Sequence, residues 1–141
     1  MGKILKDKIA ISGTTGFVGK NLENFFTQNN VKYKTISRLT FQKNKLPLIS
    51  DCSCFVHLVG LGIETKKKSF EEINVELTKK VVDLCKKSNI KNIIYFLGLG
   101  VSSKSTSDYF ISKFKAEQLI IKSGLDYTIL DHHILLEKMI I

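Results

Sequence analysis

Apolar residues along this chain come in two alternating rhythms, short unbroken runs and longer stretches spaced at helical period. Residues 8–12, Lys8-Ile9-Ala10-Ile11-Ser12, form an apolar run that stops at a glycine, the pattern of a buried strand. Over residues 17–29, Val18, Leu22, Phe25 and Phe26 fall on one stripe of a predicted helix. Residues 31–37 are β-branched and aromatic and predict a second strand. Residues 39–53 are polar and hold Pro47, the only proline. A continuous apolar run at 54–59, bounded by Gly60, predicts a third strand. A helix over 70–88 places Ile73, Leu77, Val81, Leu84 and Cys85 on its inner face. Residues 92–97 read as the next strand, and 109–122 as a helix closed by Ser123-Gly124. Residues 127–130 begin another strand.

Apolar strands alternating with amphipathic helices predict the α/β class, a doubly wound parallel sheet with helices on both faces in three layers. The stretch between Arg38 and Cys54 is too short for a further strand and crossover helix, so a reduced sheet is expected. At 141 residues the chain has room for one domain, and 43% apolar with 25% charged residues is the balance of a globular protein. No apolar run approaches the roughly 20 residues that span a bilayer, and the lysine-rich N-terminus has no signal-like stretch. A cytoplasmic protein without a membrane partner is expected. Cys52, Cys54 and Cys85 are odd in number and lack zinc-site spacing, so no metal site is expected.

The formal charge of +9 raises the question of nucleic acid. The lysines are scattered, Lys66-Lys67-Lys68 being the densest run, and no aromatic-plus-basic motif accompanies them. A polyanionic small partner suits the surplus better. Arg38 is the only arginine in the chain.

Gly13-Thr14-Thr15-Gly16-Phe17-Val18-Gly19 joins the first strand to the first helix. Glycines in such a turn permit the bend, let the backbone approach a pyrophosphate, and let helix and strand pack closely. The helix N-terminus then offers free N–H groups to phosphates. Its place between a strand and a helix makes a dinucleotide site the expectation, with Gly13, Thr14, Thr15, Gly16, Phe17, Val18 and Gly19 as contacts. The second strand ends Ser37-Arg38 with no acid. An acid there favours NAD and an arginine accommodates the 2′-phosphate of NADP, so NADP is expected, with NAD the alternative.

Tyr109-Phe110-Ile111-Ser112-Lys113 sets a phenol and an ammonium four residues apart on one helix face, with Glu117 one turn on. With the G-x-x-G-x-x-G turn upstream, this order resembles the extended and atypical short-chain dehydrogenases/reductases, the epimerase/dehydratase-like group, over residues 13–130. The resemblance implies hydride transfer at a carbonyl or secondary alcohol. It implies that Tyr109 moves a proton and that Lys113 holds the nicotinamide ribose and lowers the tyrosine pKa. Asn74 matches that family's helix asparagine. His57-Leu58-Val59-Gly60 resembles its His-Leu-Ala-Ala strand end, which implies that Leu58, Val59 and Gly60 pass along the cofactor. His57 itself reads as a core histidine.

Three departures qualify the resemblance. Leu97 stands where a family serine or threonine polarises the substrate oxygen, with Ser102 and Ser103 a few residues on. After Leu130 the chain reads Asp131-His132-His133 rather than Arg-Pro and runs to Ile141. That ending reads as truncation or frame shift, or as a deliberately short domain, with the substrate-binding region absent. The apolar tail, Ile134 to Ile141, predicts self-association. The third departure is the short connection after Arg38. A non-catalytic NAD(P)H-binding sensor or accessory subunit is the alternative reading, and a nucleic-acid module a more remote one.

Overall fold

The computed structural model of the chain describes residues 5–42, 46, 48–59, 69–97 and 108–131. Strands β1 (Lys8–Ser12), β2 (Tyr33–Ile36), β3 (Cys52–His57), β4 (Asn92–Leu97) and β5 (Asp126–Asp131) pair in parallel in the order β2-β1-β3-β4-β5. Helices α1 (Phe17–Gln28), α2 (Leu77–Lys87) and α3 (Asp108–Ile121) make the connections. Side chains alternate across the sheet. Ala10, Phe55, Ile93 and Tyr95 turn toward Val81, Leu84, Ala116 and Ile120 of α2 and α3. Ile11 and Val56 turn the other way, onto Phe26 of α1. The result is the expected three-layer α/β sandwich. Burying each such large side chain contributes roughly 1.5–3 kcal/mol.

The reduced sheet is also as expected. Between β2 and β3 the described residues form only a 3-10 turn, Arg38–Gln42, whose Phe41 plugs into the core. Other details differ from the sequence pattern. Phe25 does not join the core stripe of α1 and is 57% exposed, one residue off the row in which Leu22 and Phe26, four apart, meet the sheet. The predicted 70–88 helix begins as a π-helical segment, Glu71–Glu76, before continuing as α2. β2 is shorter than its apolar pattern because Val31 closes α1 instead: its N–H donates to Phe26 O at 2.8 Å while Asn30 takes φ 56°. Asn89 and Ile90 end α2 in the same way.

At the amino ends of the strands Asp51 accepts from Lys8 at 2.9 Å and from Lys34 at 3.0 and 3.2 Å, which ties β1 and β2 to the entry of β3. Those two lysines hold its carboxyl down at about 2. A depressed carboxylate stabilises above its unfolded pKa, and that stability is lost as pH falls from about 4 through about 2. Because the lysines are over a third exposed, the contribution is about 1 kcal/mol. Urea melts at pH 5 and pH 2 should show Asp51→Asn losing less stability on acidification than wild type does.

Candidate functional site

The chain leaves β1 for β2 on one side and returns to β3 on the other, so β1 and β3 flank the point where strand order reverses. Gly13 follows β1 there at φ 81°, and a Cβ on it would sit 2.7 Å from the Leu58 carbonyl carbon. A Cβ on Gly19 would sit 2.1 Å from Gly13 O. Gly13 and Gly19 are therefore demanded by the packing of the turn on itself and on the end of β3. Gly16 is different: a Cβ there would meet nothing nearer than Gly13 O at 3.6 Å. Its bare backbone faces outward, as the N-cap of α1, with no side-chain cap and no acidic residue in the first helical turn. The positive end of the helix is left for an outside anion.

A cleft of about 630 Å³ opens at this point. Gly13, Thr14, Thr15 and Gly16 form one wall, and Leu58 and Val59 the floor. Ser37 and Arg38 stand beyond β2, opposite Glu72, Glu76 and Lys80 of the π segment and α2. Arg38 makes no ion pair among the described residues. Of the contacts expected from sequence, Phe17, Val18 and Gly19 do not line the cleft: Phe17 is 68% exposed and Gly19 is buried under the turn. Gly60, Ser102, Ser103, His132, His133 and the apolar tail lie outside the described residues. The cleft is also lined by Phe41 of the 3-10 turn and by Glu72 and Glu76 of the π segment, which no sequence pattern singled out.

Asn74, on the π segment, and Tyr109 and Lys113, on α3, are the remaining expected site residues. Asn74 is buried, and its amide donates to Ser112 Oγ at 2.9 Å. Ser112 Oγ donates in turn to Tyr109 O at 2.7 Å, which fixes the first turn of α3 against the π segment. Tyr109 packs edge-on to Phe70, 5.8 Å between ring centres. Partial burial raises its phenol pKa. The lowering expected from Lys113 is not present here, since that ammonium is turned elsewhere. Lys113 Nζ donates to Phe96 O at 3.0 Å and lies 4.4 Å from the centre of the Tyr95 ring. Burial pushes its pKa down to about 8. His57 is buried and held neutral, its pKa pushed to about 3 by burial and by the neighbouring Lys113 charge. Burial lifts all three cysteine thiols, and no cluster able to hold a metal occurs among the described residues. No helix among them is long and apolar enough to cross a membrane.

Several solved structures share this fold. The fold is shared with WbmH of Bordetella bronchiseptica in complex with NAD+, at TM-score 0.69 and 19% identity over 89% of this chain and 55% of that one. It is shared with a UDP-N-acetylglucosamine 4-epimerase from Bacillus cereus, at TM-score 0.64 and 24% identity over 88% and 52%. MoeE5 in complex with UDP-glucose and NAD gives TM-score 0.68 and 16% identity over 88% and 52%. The chain thus spans about half the length of these structures. Among curated proteins none matches it. The sequence profile of an NAD(P)H-binding family matches residues 48–139, most of the chain downstream of the glycine turn. The chain belongs to that NAD(P)H-binding family and has the Rossmann-like fold of the short-chain dehydrogenases/reductases.

Proposed function

We propose that this chain binds NADP(H) and serves as the nucleotide-binding domain of an epimerase- or dehydratase-like oxidoreductase acting at a carbonyl or secondary alcohol. The observation that carries the proposal is the uncapped N-terminus of α1, with Gly16 bare toward a cleft at the strand-order reversal. A pyrophosphate suits that end through backbone N–H groups and the helix dipole. Arg38, the only guanidinium and without an ion pair among the described residues, would meet a 2′-phosphate beyond β2. Leu58 and Val59 would lie under the dinucleotide.

When bound, the nicotinamide supplies or accepts the hydride. The chain's own contribution would come from the Tyr109 and Lys113 face of α3, steadied by Asn74. A phenol raised by burial is protonated at neutral pH, so Tyr109 is set to give a proton and needs a nearby cation before it can take one. Lys113 would supply that cation by swinging from Phe96 O toward the ribose. MoeE5 is seen with UDP-glucose and another structural relative is a UDP-N-acetylglucosamine 4-epimerase, so a sugar nucleotide is the substrate class this reading favours.

A binding-only sensor or accessory subunit is the second reading. Leu97 in place of a hydroxyl and the engagement of Lys113 with Phe96 O favour it.

Calorimetric titration with NADPH and NADH tests the proposal. Removing a charge-assisted phosphate contact costs about 1.5–3 kcal/mol. Arg38→Ala should therefore weaken NADPH binding by roughly tenfold to a hundredfold and leave NADH unchanged. Loss of both equally would remove the 2′-phosphate assignment, and no binding of either nucleotide by the folded chain would remove the site. NADPH oxidation with carbonyl substrates then separates the enzyme from the sensor.

A further inference from the structure

A run of buried hydrogen bonds, continued at one point through the covalent frame of Asn74, leads from the strand that feeds the glycine turn to the helix that carries Tyr109. It begins at Ser12, the last residue of β1, whose hydroxyl lies 2.7 Å from His57 Nδ1 and accepts from Leu58 N–H at 3.3 Å. It continues from His57 Nε2 to Thr78 Oγ1 at 3.0 Å. Thr78 Oγ1 donates to Asn74 O at 2.8 Å. That acceptor is the main-chain carbonyl; the path passes through the bonds of Asn74 to its side-chain amide, which donates to Ser112 Oγ, and Ser112 Oγ donates to Tyr109 O. Ser12, His57, Asn74, Thr78 and Ser112 are all buried, with at most 4% of any one exposed.

The proton positions along this chain follow from counting donors. A hydroxyl has one hydrogen, and that of Thr78 is spent on Asn74 O. Thr78 therefore accepts from His57, which places the imidazole hydrogen on Nε2. A neutral imidazole protonated there has a bare lone pair on Nδ1, so the Ser12 hydroxyl donates to it. Ser12 then has its own lone pairs open to Leu58 N–H. Each link therefore has one direction.

The two ends touch different parts of the site. Ser12 adjoins Gly13, over which the Leu58 backbone packs too closely to admit a Cβ. Ser112 sets the first turn of α3, beneath Tyr109. We propose that His57 is a positioning residue which, through Thr78 and Asn74, couples occupancy of the glycine turn to the rigidity of the first turns of α3. The coupling rests on the nucleotide-binding reading above and adds to it a path from the phosphate end of the cleft to the proton-transfer end. The imidazole takes no part in proton transfer. Its fixed tautomer joins a strand hydroxyl to a helix hydroxyl that could not reach each other.

The test uses ADP, which fills the adenosine and phosphate end and has no nicotinamide to touch Lys113. Hydrogen exchange at the amides of residues 112–115 is followed with and without saturating ADP, whose binding is measured in parallel by calorimetry. In the wild-type chain ADP should slow exchange there by roughly fivefold, the lower range of ordinary site-to-site coupling. Thr78→Val keeps the side chain's shape but breaks the chain, and should bind ADP while losing the slowing. If Thr78→Val does not fold, Ser112→Ala cuts the same chain at its far end and should give the same loss. Equal slowing in wild type and a cut variant overturns the coupling and leaves the nucleotide site standing. Absence of ADP binding in the wild type overturns both. Nitrogen NMR of the imidazole checks the direction of the chain: a neutral Nε2–H form from pH 5 to 8 is expected, and an Nδ1–H or charged ring would overturn the mechanism.

Discussion

Gly19→Ala should destabilise the chain by about 3 kcal/mol or more, enough to prevent folding if the total stability lies at the low end for a small domain. The added methyl would sit 2.1 Å from Gly13 O and 2.6 Å from the Cα of Thr14, both backbone atoms with no rotamer to retreat into. Relief requires α1 to lift from the turn, which would pull Phe26 and Leu22 from the cluster they share with Ile11 and Val56. Gly16→Ala makes the informative contrast. Its nearest contact of 3.6 Å is ordinary packing, so stability should change by less than about 1 kcal/mol. If a pyrophosphate uses the bare backbone, that same variant should lose nucleotide affinity by tenfold or more. Thermal melts and calorimetry on the two proteins separate a glycine needed by the fold from one needed by a ligand. A Gly16→Ala chain that melts and binds like wild type would remove the phosphate role from this turn.

Lys113→Met should raise stability while weakening nucleotide binding. The ammonium is buried against a carbonyl oxygen and a ring face, with no carboxylate in ion-pair contact among the described residues. Burial lowers its pKa from 10.5 to about 8. The linkage sign follows directly. Between pH 8 and 10.5 the unfolded chain holds a proton the folded chain has released, so stability rises with pH through that window. Below pH 8 the folded state carries the full cost of the buried charge. A methionine of similar length removes that cost, and after loss of the contact with Tyr95 a net gain of about 1–2 kcal/mol at pH 7 is expected. The rise of stability with pH between 8 and 10.5 should flatten in the variant. A destabilised Lys113→Met chain would mean that the ammonium is part of the structural frame rather than a strained group held for a ligand. Retained stability gain with unchanged NADPH affinity would remove Lys113 from the cofactor site.

Much of this protein could be read along the chain. Strands buried on both faces announce themselves as unbroken apolar runs, so β1, β3 and β4 were legible, as were the inner face of α2 and the C-terminal stop of α3. The glycine turn was legible because its spacing has meaning only between a strand and a helix. Short polar connections also speak: the stretch after Arg38 was too small for another strand, and the sheet has none there among the described residues. Strand ends were less clear, since Val31 looks like strand but serves as the hydrophobic close of α1.

The tertiary structure decided what depends on residues far apart. Composition cannot separate Gly16 from Gly13 and Gly19; only the approach of Leu58 and the fold of the turn upon itself show which glycines packing requires. The tyrosine–lysine spacing places both groups on one face of α3, but the carbonyl of Phe96 and the ring of Tyr95 decide where the ammonium rests. Ser12, His57, Thr78, Asn74 and Ser112 have no common sequence pattern, because a hydrogen-bond chain across strands and helices is set by three-dimensional register. By itself the sequence determined the local elements and the class of sheet, since those follow from periodicity and backbone preference. Which polar groups are paired, which are strained and which are left open to a ligand is a matter of distances between elements, and these exist only once the sheet has formed.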